Sequence, residues 1–292
     1  MKTAVRELLD EELAKSFPGL RGHTGLHAMK LEGEGGEIVA SRESFDSQHL
    51  RQEIALVREL RAASPADAVA LLTELAGRLR DRGFDQLLRR IDATDLPAAW
   101  ALERAGFELV DIPVTLALKM QGPRQARPSN DVTVRPATAA DAKCCIELMA
   151  GEWWGGRYDN DPHYARDGVR SLRAKWLEND FAGRAQLFLV GEIEGTLAGY
   201  MAALFDAANR TGRLDLVATV PQFRRRGIAA CILEHVIAWF SERADLLTVP
   251  TQASNCPAVQ LYQRAGFVLQ RSELVYRTVL RPRVEKSPER IL

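Results

Sequence analysis

A run of thirteen residues in this chain returns later in related form. The run Pro97-Ala98-Ala99-Trp100-Ala101-Leu102-Glu103-Arg104-Ala105-Gly106-Phe107-Glu108-Leu109 returns as Pro257-Ala258-Val259-Gln260-Leu261-Tyr262-Gln263-Arg264-Ala265-Gly266-Phe267-Val268-Leu269. Pro, Ala, Arg, Ala, Gly, Phe and Leu coincide, seven of thirteen, at a constant offset of 160 residues with no gap. Asp95 and Asn255 precede the two copies, and apolar stretches at 113–118 and 274–280 follow them. Any helix that ends on Gly and re-enters a core with Phe looks somewhat like this. An ungapped register is better explained by two related domains, and self-similarity at a fixed offset constrains the fold more than any single element does.

Between the copies lies Gln121-Gly122-Pro123-Arg124-Gln125-Ala126-Arg127-Pro128-Ser129-Asn130, with two prolines, a glycine and no bulky apolar residue. It reads as an exposed linker over 123–130. The expected division is a first domain at 1–122, a second at 131–282 and a flexible tail at 283–292. The length of 292 residues suits two domains, and 46% hydrophobic with 27% charged residues is ordinary globular composition. Thirty-nine basic residues balance thirty-nine acidic ones, which argues against a whole-protein grip on nucleic acid or an anionic membrane. No apolar run approaches the ~20 residues of a membrane span. Charges fill the start, Met1-Lys2-Thr3-Ala4-Val5-Arg6-Glu7, where a signal peptide needs an apolar stretch. Cys144, Cys145, Cys231 and Cys256 form no disulfide framework, and the five histidines have no ligand spacing, so no metal site is indicated. A soluble, cytoplasmic protein is expected.

The second domain opens with a strand over 132–136, then a helix through 143–149 that Asp141 is expected to cap. Two apolar strands, 186–192 and 196–204, flank Glu194-Gly195 as a hairpin. A further strand, 213–220, ends at Pro221 and runs into Gln222-Phe223-Arg224-Arg225-Arg226-Gly227-Ile228-Ala229-Ala230. Behind that loop Ile228, Ile232, Leu233, Val236, Ile237 and Phe240 recur at helical spacing, so one helix face is core. A loop entering the N-terminus of a buried helix offers unpaired N–H groups and the positive end of the helix dipole, which suits a phosphate. Gly227 leaves room for the anion, and three arginines add charge-assisted donors. Three arginines in a row are also common on a solvated surface; their place between a strand-ending Pro and an amphipathic helix favours a specific anion. The Walker and dinucleotide glycine patterns are both absent.

The loop Arg224-Arg225-Arg226-Gly227-Ile228-Ala229 resembles the Gln/Arg-x-x-Gly-x-Gly/Ala signature of the GNAT acyl-CoA N-acyltransferase superfamily. The stretch from Asn255 through Ala258, Leu261 and Tyr262 to Gly266-Phe267 is similar to that family's later Asn-x-x-Ala-x-x-Leu-Tyr-x-x-x-Gly-Phe pattern. The resemblance covers roughly 131–280 and implies an α/β (α+β) fold of two GNAT-like domains, each a mixed, mostly antiparallel sheet flanked by helices. It implies acetyl-CoA as cofactor, with Leu216, Val217, Ala218 and Thr219 lending backbone to the pantetheine arm. Arg224, Arg225, Arg226, Gly227, Ile228, Ala229 and Ala230 would hold the pyrophosphate, and Asn255 would contact the pantetheine region. Tyr262 would stand near the thioester sulfur, where a phenol can protonate a departing thiolate. A packed core tyrosine is the plainer reading of Tyr262. Asp215 is the candidate base, expected to share a strand face with Val217 and Thr219; an ion pair with Arg213 is the equal alternative.

At the loop offset the first copy has Ser64-Pro65-Ala66-Asp67-Ala68-Val69, and Leu102 replaces Tyr262. The first domain is thus expected to be degenerate, without cofactor chemistry, and to serve as a scaffold, a lid or a wall of the acceptor site. Trp153, Trp154, Arg157 and Tyr158 lie in an aromatic, glycine-rich stretch suited to binding an acceptor, or simply to anchoring a loop. The expected activity is N-acetyl transfer to a primary amine of a small molecule. The two-part arrangement and short matches around 157–158, 175–179 and 249–255 resemble the dTDP-fucosamine acetyltransferase branch, which points to a nucleotide-linked amino sugar. A peptide or protein N-acetyltransferase, a small-amine acetyltransferase and a non-catalytic acyl-CoA-binding module are the alternatives. No nucleic-acid or membrane partner is expected, and a homodimer is left open.

Overall fold

A computed structural model describes residues 4–8, 28–127, 131–151 and 155–281; the expected tail at 283–292 lies outside them. The chain forms two compact units, the first made of Met1–Asp111, Asp161–Ala165 and Glu273–Leu292, the second of Ile112–Asn160 and Arg166–Ser272. Each is a mixed, mostly antiparallel sheet with helices, as expected.

In the first unit, strands β1 (Ala4–Leu8), β2 (Ala28–Gly33), β3 (Gly36–Arg42) and β4 (Ile54–Ala62) pair antiparallel in sequence order. A short helix, α1 (Ser44–Leu50), connects β3 to β4. β4 pairs parallel with β5 (Gln86–Asp92) after a crossover through α2 (Pro65–Asp81), which buries Ala68, Leu71, Leu72, Leu75 and Leu79 at three- and four-residue spacing. Helix α3 (Leu96–Arg104) and strand β6 (Glu108–Asp111) follow.

The second unit runs through β7 (Pro113–Lys119), β8 (Thr133–Pro136), α4 (Ala142–Gly151), the short α5 (Arg157–Asn160) and α6 (Arg166–Asn179). Strands β9 (Leu187–Ile193), β10 (Thr196–Asp206) and β11 (Thr211–Thr219) form an antiparallel meander. The first hairpin turns through Glu194 at φ 49° and Gly195 at φ 73°, the paired positive φ of a twist-matched two-residue turn. Helix α7 (Ile228–Phe240) crosses over to β12 (Leu246–Gln252), which pairs parallel with β11. Helix α8 (Cys256–Arg264) and strand β13 (Val268–Val279) end the described chain. Ile228, Ile232, Leu233, Val236, Ile237 and Phe240 are all buried, the face expected from their spacing.

The repeat is visible in three dimensions. β5 and β12 are offset by 160 residues at both ends, as are α3 and α8. Asp95 and Asn255 cap those helices identically, each accepting from the N–H three residues on, at 3.1 and 3.4 Å.

The units do not divide at the expected linker. β7 pairs with β12 and with residues 268–272 of β13, all in the second unit. Residues 273–279 pair with β5 in the first. Those seven residues are the 160-offset counterpart of β7, so each copy supplies the closing strand of the other. The segment expected to be an exposed linker is largely exposed over 121–127 and is also tethered to α7 and its end: Arg124 N–H donates to Ser241 Oγ at 2.9 Å and Arg127 N–H to Glu234 Oε2 at 3.1 Å. A fragment of residues 131–292 therefore lacks a strand from inside its own sheet. It is expected to show no cooperative thermal transition by circular dichroism; a sharp transition would show that β7 is dispensable.

Asp141 is not the N-cap of α4. It closes a preceding 3₁₀ turn, where it accepts from Thr138 N–H at 2.7 Å in a capping box, while Arg135 binds it at 2.8 Å and holds its carboxyl well below the usual range. Among the described residues no helix is long and apolar enough to cross a membrane.

Candidate functional site

β11 and β12 pair only over Thr211–Leu246, Gly212–Leu247 and Arg213–Thr248. Beyond that point β11 continues to Thr219, paired on its other edge with β10, and β12 continues to Gln252, paired with β7. The facing edges of 215–219 and 249–252 are not bonded to each other, so the sheet opens there. Leu216, Val217, Ala218 and Thr219 lie along this open edge, where their outward backbone groups can meet an extended polar ligand.

α7 begins beside the end of that strand. Its first intrahelical bond runs from Cys231 N–H to Gly227 C=O, so the N–H groups of Ile228, Ala229 and Ala230 have no helical acceptor. Gly227 takes the N-cap position at φ 81° and contributes no side-chain cap. A Cβ placed on it meets nothing within 4 Å, so the space in front of these donors is open. Arg224, Arg225 and Arg226 are all exposed around it. Arg224 Nε donates to Thr219 O at 3.2 Å, and the Arg226 guanidinium lies 5.6 Å from the Phe223 ring centre. Uncapped N–H groups, open space and positive charge are thus adjacent at this helix end.

Tyr262, on α8, is 3% exposed and packs its ring 5.8 Å from that of Phe267. Burial pushes its phenol well above the usual value, so the hydroxyl stays protonated across the neutral range. It forms no hydrogen bond among the described residues. Asn255 has a local task, capping α8.

Asp215 faces differently from the expectation. The β10–β11 register steps from Ala202–Leu216 to Ala203–Leu214, leaving Asp215 as an extra, bulged residue. Leu214 packs with the α7 cluster, whereas Leu216 and Ala218 pack with Cys145, Met149 and Leu177, so the alternation is reset at the bulge. Val217 returns to the α7 side. Asp215 turns instead towards Arg184, which binds its Oδ2, and Arg213, 2.9 Å from its Oδ1. The ion pair with Arg213 is therefore present, and Arg184, with its neighbour Asp180, is a partner that the sequence did not reveal.

Trp153 and Trp154 lie outside the described residues. The Arg157 guanidinium lies 4.4 Å from the Tyr158 ring centre, and Tyr158 meets Trp176 edge-on at 5.5 Å. The neighbouring Asp159 is held by buried Arg173 at 2.7 Å. Among the described residues no group of three His, Cys, Asp or Glu is placed to hold a metal ion.

In the first unit the corresponding positions differ. β4 and β5 also part after Val57 and Arg89, and the Arg89 guanidinium donates to Val57 O at 3.0 Å on the last paired rung. Ser64 caps α2, accepting from Asp67 N–H at 3.2 Å and donating to the Asp67 carboxylate at 2.6 Å. A helix end capped by its own side chains, with a carboxylate in its first turn, offers nothing to a phosphate.

Residues 152–267 match the Acetyltransferase (GNAT) family. Over 242 residues the chain is 25% identical to the spore coat polysaccharide biosynthesis protein SpsD of Bacillus subtilis (strain 168), spanning 82% of this chain and 83% of that one. A GCN5-related N-acetyltransferase from Sphaerobacter thermophilus superposes with a TM-score of 0.71 at 17% identity, covering 96% of each chain. A tandem GNAT protein from the clavulanic acid biosynthesis pathway superposes with a TM-score of 0.62 at 11% identity, covering 97% of this chain and 100% of the other. The last two share the fold across both units.

Proposed function

We propose, with the GNAT acetyltransferase match over residues 152–267 as premise, that this chain moves an acetyl group from acetyl-CoA to a primary amine of a small molecule. The first candidate acceptor is a nucleotide-linked amino sugar. One observation carries the reading: strands that part beside an uncapped, arginine-rich helix N-terminus in the second unit, where the first unit's helix end is capped by Ser64. The polysaccharide role in the name of SpsD supports a sugar acceptor.

Acetyl-CoA, when bound, supplies the reactive thioester. The residues present fit it. The N–H groups of Ile228, Ala229 and Ala230, with Arg224, Arg225 and Arg226, hold the pyrophosphate at the end of the helix dipole. The open edge of 216–219 and Asn255 line the pantetheine path. Tyr262 Oη holds a proton at neutral pH, which a departing thiolate requires. The acceptor arrives as an ammonium and must lose a proton before it can attack; Asp215, at the bulge where the strands part, is the carboxylate placed to accept it. Arg157 and Tyr158 supply cationic and aromatic surface for the acceptor. The first unit is a scaffold without cofactor chemistry.

Thermal unfolding with and without acetyl-CoA tests the reading. A ligand at 100 times its Kd adds ~2.7 kcal/mol, a rise of several degrees. No rise with acetyl-CoA or longer acyl-CoAs overturns it. A binding module without turnover is the second reading, favoured by the occupation of both Asp215 oxygens by arginines. Thiol release from acetyl-CoA separates the two.

A further inference from the structure

The ion pair on Asp215 continues inward. After α6 the chain turns through Asp180–Arg184, where Gly183 departs from helical geometry at φ 103°. Turns with a positive-φ glycine commonly close helices. This one sets Asp180 and Arg184 side by side: Arg184 Nε donates to Asp180 Oδ1 at 2.7 Å while Arg184 Nη2 donates to Asp215 Oδ2. The second carboxylate of the chain is the unusual member. The Asp180 side chain has no exposed surface, and its Oδ2 is buried with no hydrogen-bond partner among the described residues. Burial pushes its carboxyl up to about 6, against the pull of Arg184.

Such a group destabilises the fold, because a buried carboxylate with an unsatisfied oxygen gives up hydration without full compensation. An asparagine would fill the same volume without the charge. What the carboxylate adds is a fixed Arg184. That arginine is 39% exposed, and a long side chain at such a position samples many rotamers unless it is tied at its base. Tied to Asp180, it presents one nitrogen to Asp215, opposite the hydrogen-bonded Arg213.

We propose that Asp180 is a positioning residue of the acyl-transfer site, fixing Arg184 and through it the Asp215 carboxylate at the bulge where the acceptor ammonium gives up its proton. The proposal rests on the acetyl-transfer reading above. In the step it serves, an N–H bond of the ammonium breaks, an O–H bond forms on Asp215, and the electron pair left on nitrogen becomes the nucleophile. The charged groups facing Asp180 are Arg184 in its own turn and Asp215 on β11, with Arg213 beyond. As pH falls through about 6, Asp180 takes up a proton and its hold on Arg184 weakens. The stability effect has the opposite sign. The folded carboxyl is harder to ionise than the unfolded one, so its penalty is absent in acid and fully present above pH 6 or so.

The test compares Asp180→Asn, Asp180→Glu and Asp215→Asn with wild type, using thiol release from acetyl-CoA with glucosamine as the amine probe. Asp180→Asn is expected to lower kcat on the order of 10- to 100-fold, to remove the acid limb of the pH profile near 6, and to leave the acetyl-CoA-induced rise in Tm unchanged. Asp180→Glu should restore part of the rate. The Tm of Asp180→Asn should exceed that of wild type in mild alkali, the gap closing in acid. Should Asp180→Asn not fold, Arg184→Lys carries the same kinetic expectation. Wild-type kcat and pH profile in Asp180→Asn, beside an impaired Asp215→Asn, overturn the proposal. Wild-type protein that binds acetyl-CoA yet releases no thiol to glucosamine or to other amines overturns the acetyl-transfer reading, and the proposal with it. Wild-type protein that fails to bind acetyl-CoA overturns the underlying reading as well.

Discussion

Replacing Gly227 with Asp is expected to abolish the acetyl-CoA-induced rise in Tm, a loss of ~2.7 kcal/mol of ligand stabilisation at 100 times Kd. Gly227 sits at φ 81° with nothing within 4 Å of its missing Cβ. A side chain there enters the space in front of the Ile228, Ala229 and Ala230 donors, and a carboxylate adds like charge against a pyrophosphate. The variant reproduces what the first unit already has, a helix capped by Ser64 with Asp67 in its first turn. At φ 81° any side chain is strained, by about 1–2 kcal/mol, so the variant's own Tm without ligand is the baseline against which the acetyl-CoA effect is read. Gly227→Asn separates the two causes, because it occupies the space without the charge. Undiminished acetyl-CoA stabilisation in Gly227→Asp would remove the cradle from the site.

Tyr262→Phe is expected to lower turnover about 10²-fold, the ordinary contribution of one positioned proton donor and about 2.7 kcal/mol of barrier. The ring is held in an apolar cluster beside Phe267, and its hydroxyl bonds to no described residue. Phe therefore fits the same space without leaving a partner unsatisfied, and stability should be unchanged or slightly higher. Acetyl-CoA stabilisation should persist. Thiol release with an amino-sugar acceptor measures the effect, and an unchanged rate would return Tyr262 to the role of a core residue, as Leu102 is in the first unit.

The sequence carried the fold further than the site. The repeat, the hairpin at Glu194-Gly195 and the buried face of α7 were legible because each depends on local spacing. The exchange of closing strands was not. β7 and residues 273–279 have the same length and similar apolar character, so periodicity identifies both as strands and says nothing about their neighbours. The facing of Asp215 was misread for a related reason: alternation assumes an unbroken strand, and one extra residue resets it. Arg184 and Asp180 lie some thirty residues upstream in a turn with no regular helical pattern, so only the folded chain brings them to Asp215. The loop and helix start proposed as the cradle were readable as local structure because their residues are consecutive in the chain.

The exchanged strands also set a timetable. A ribosome finishes β5 long before it reaches residues 273–279, the strand that β5 pairs with. At ordinary elongation rates the interval is on the order of ten seconds. Throughout it, the nascent first unit carries an unpaired strand edge, the kind of surface that recruits other chains. Its native sheet can close only after nearly the whole of the second unit has been synthesised, so the degenerate half, made first, is completed last.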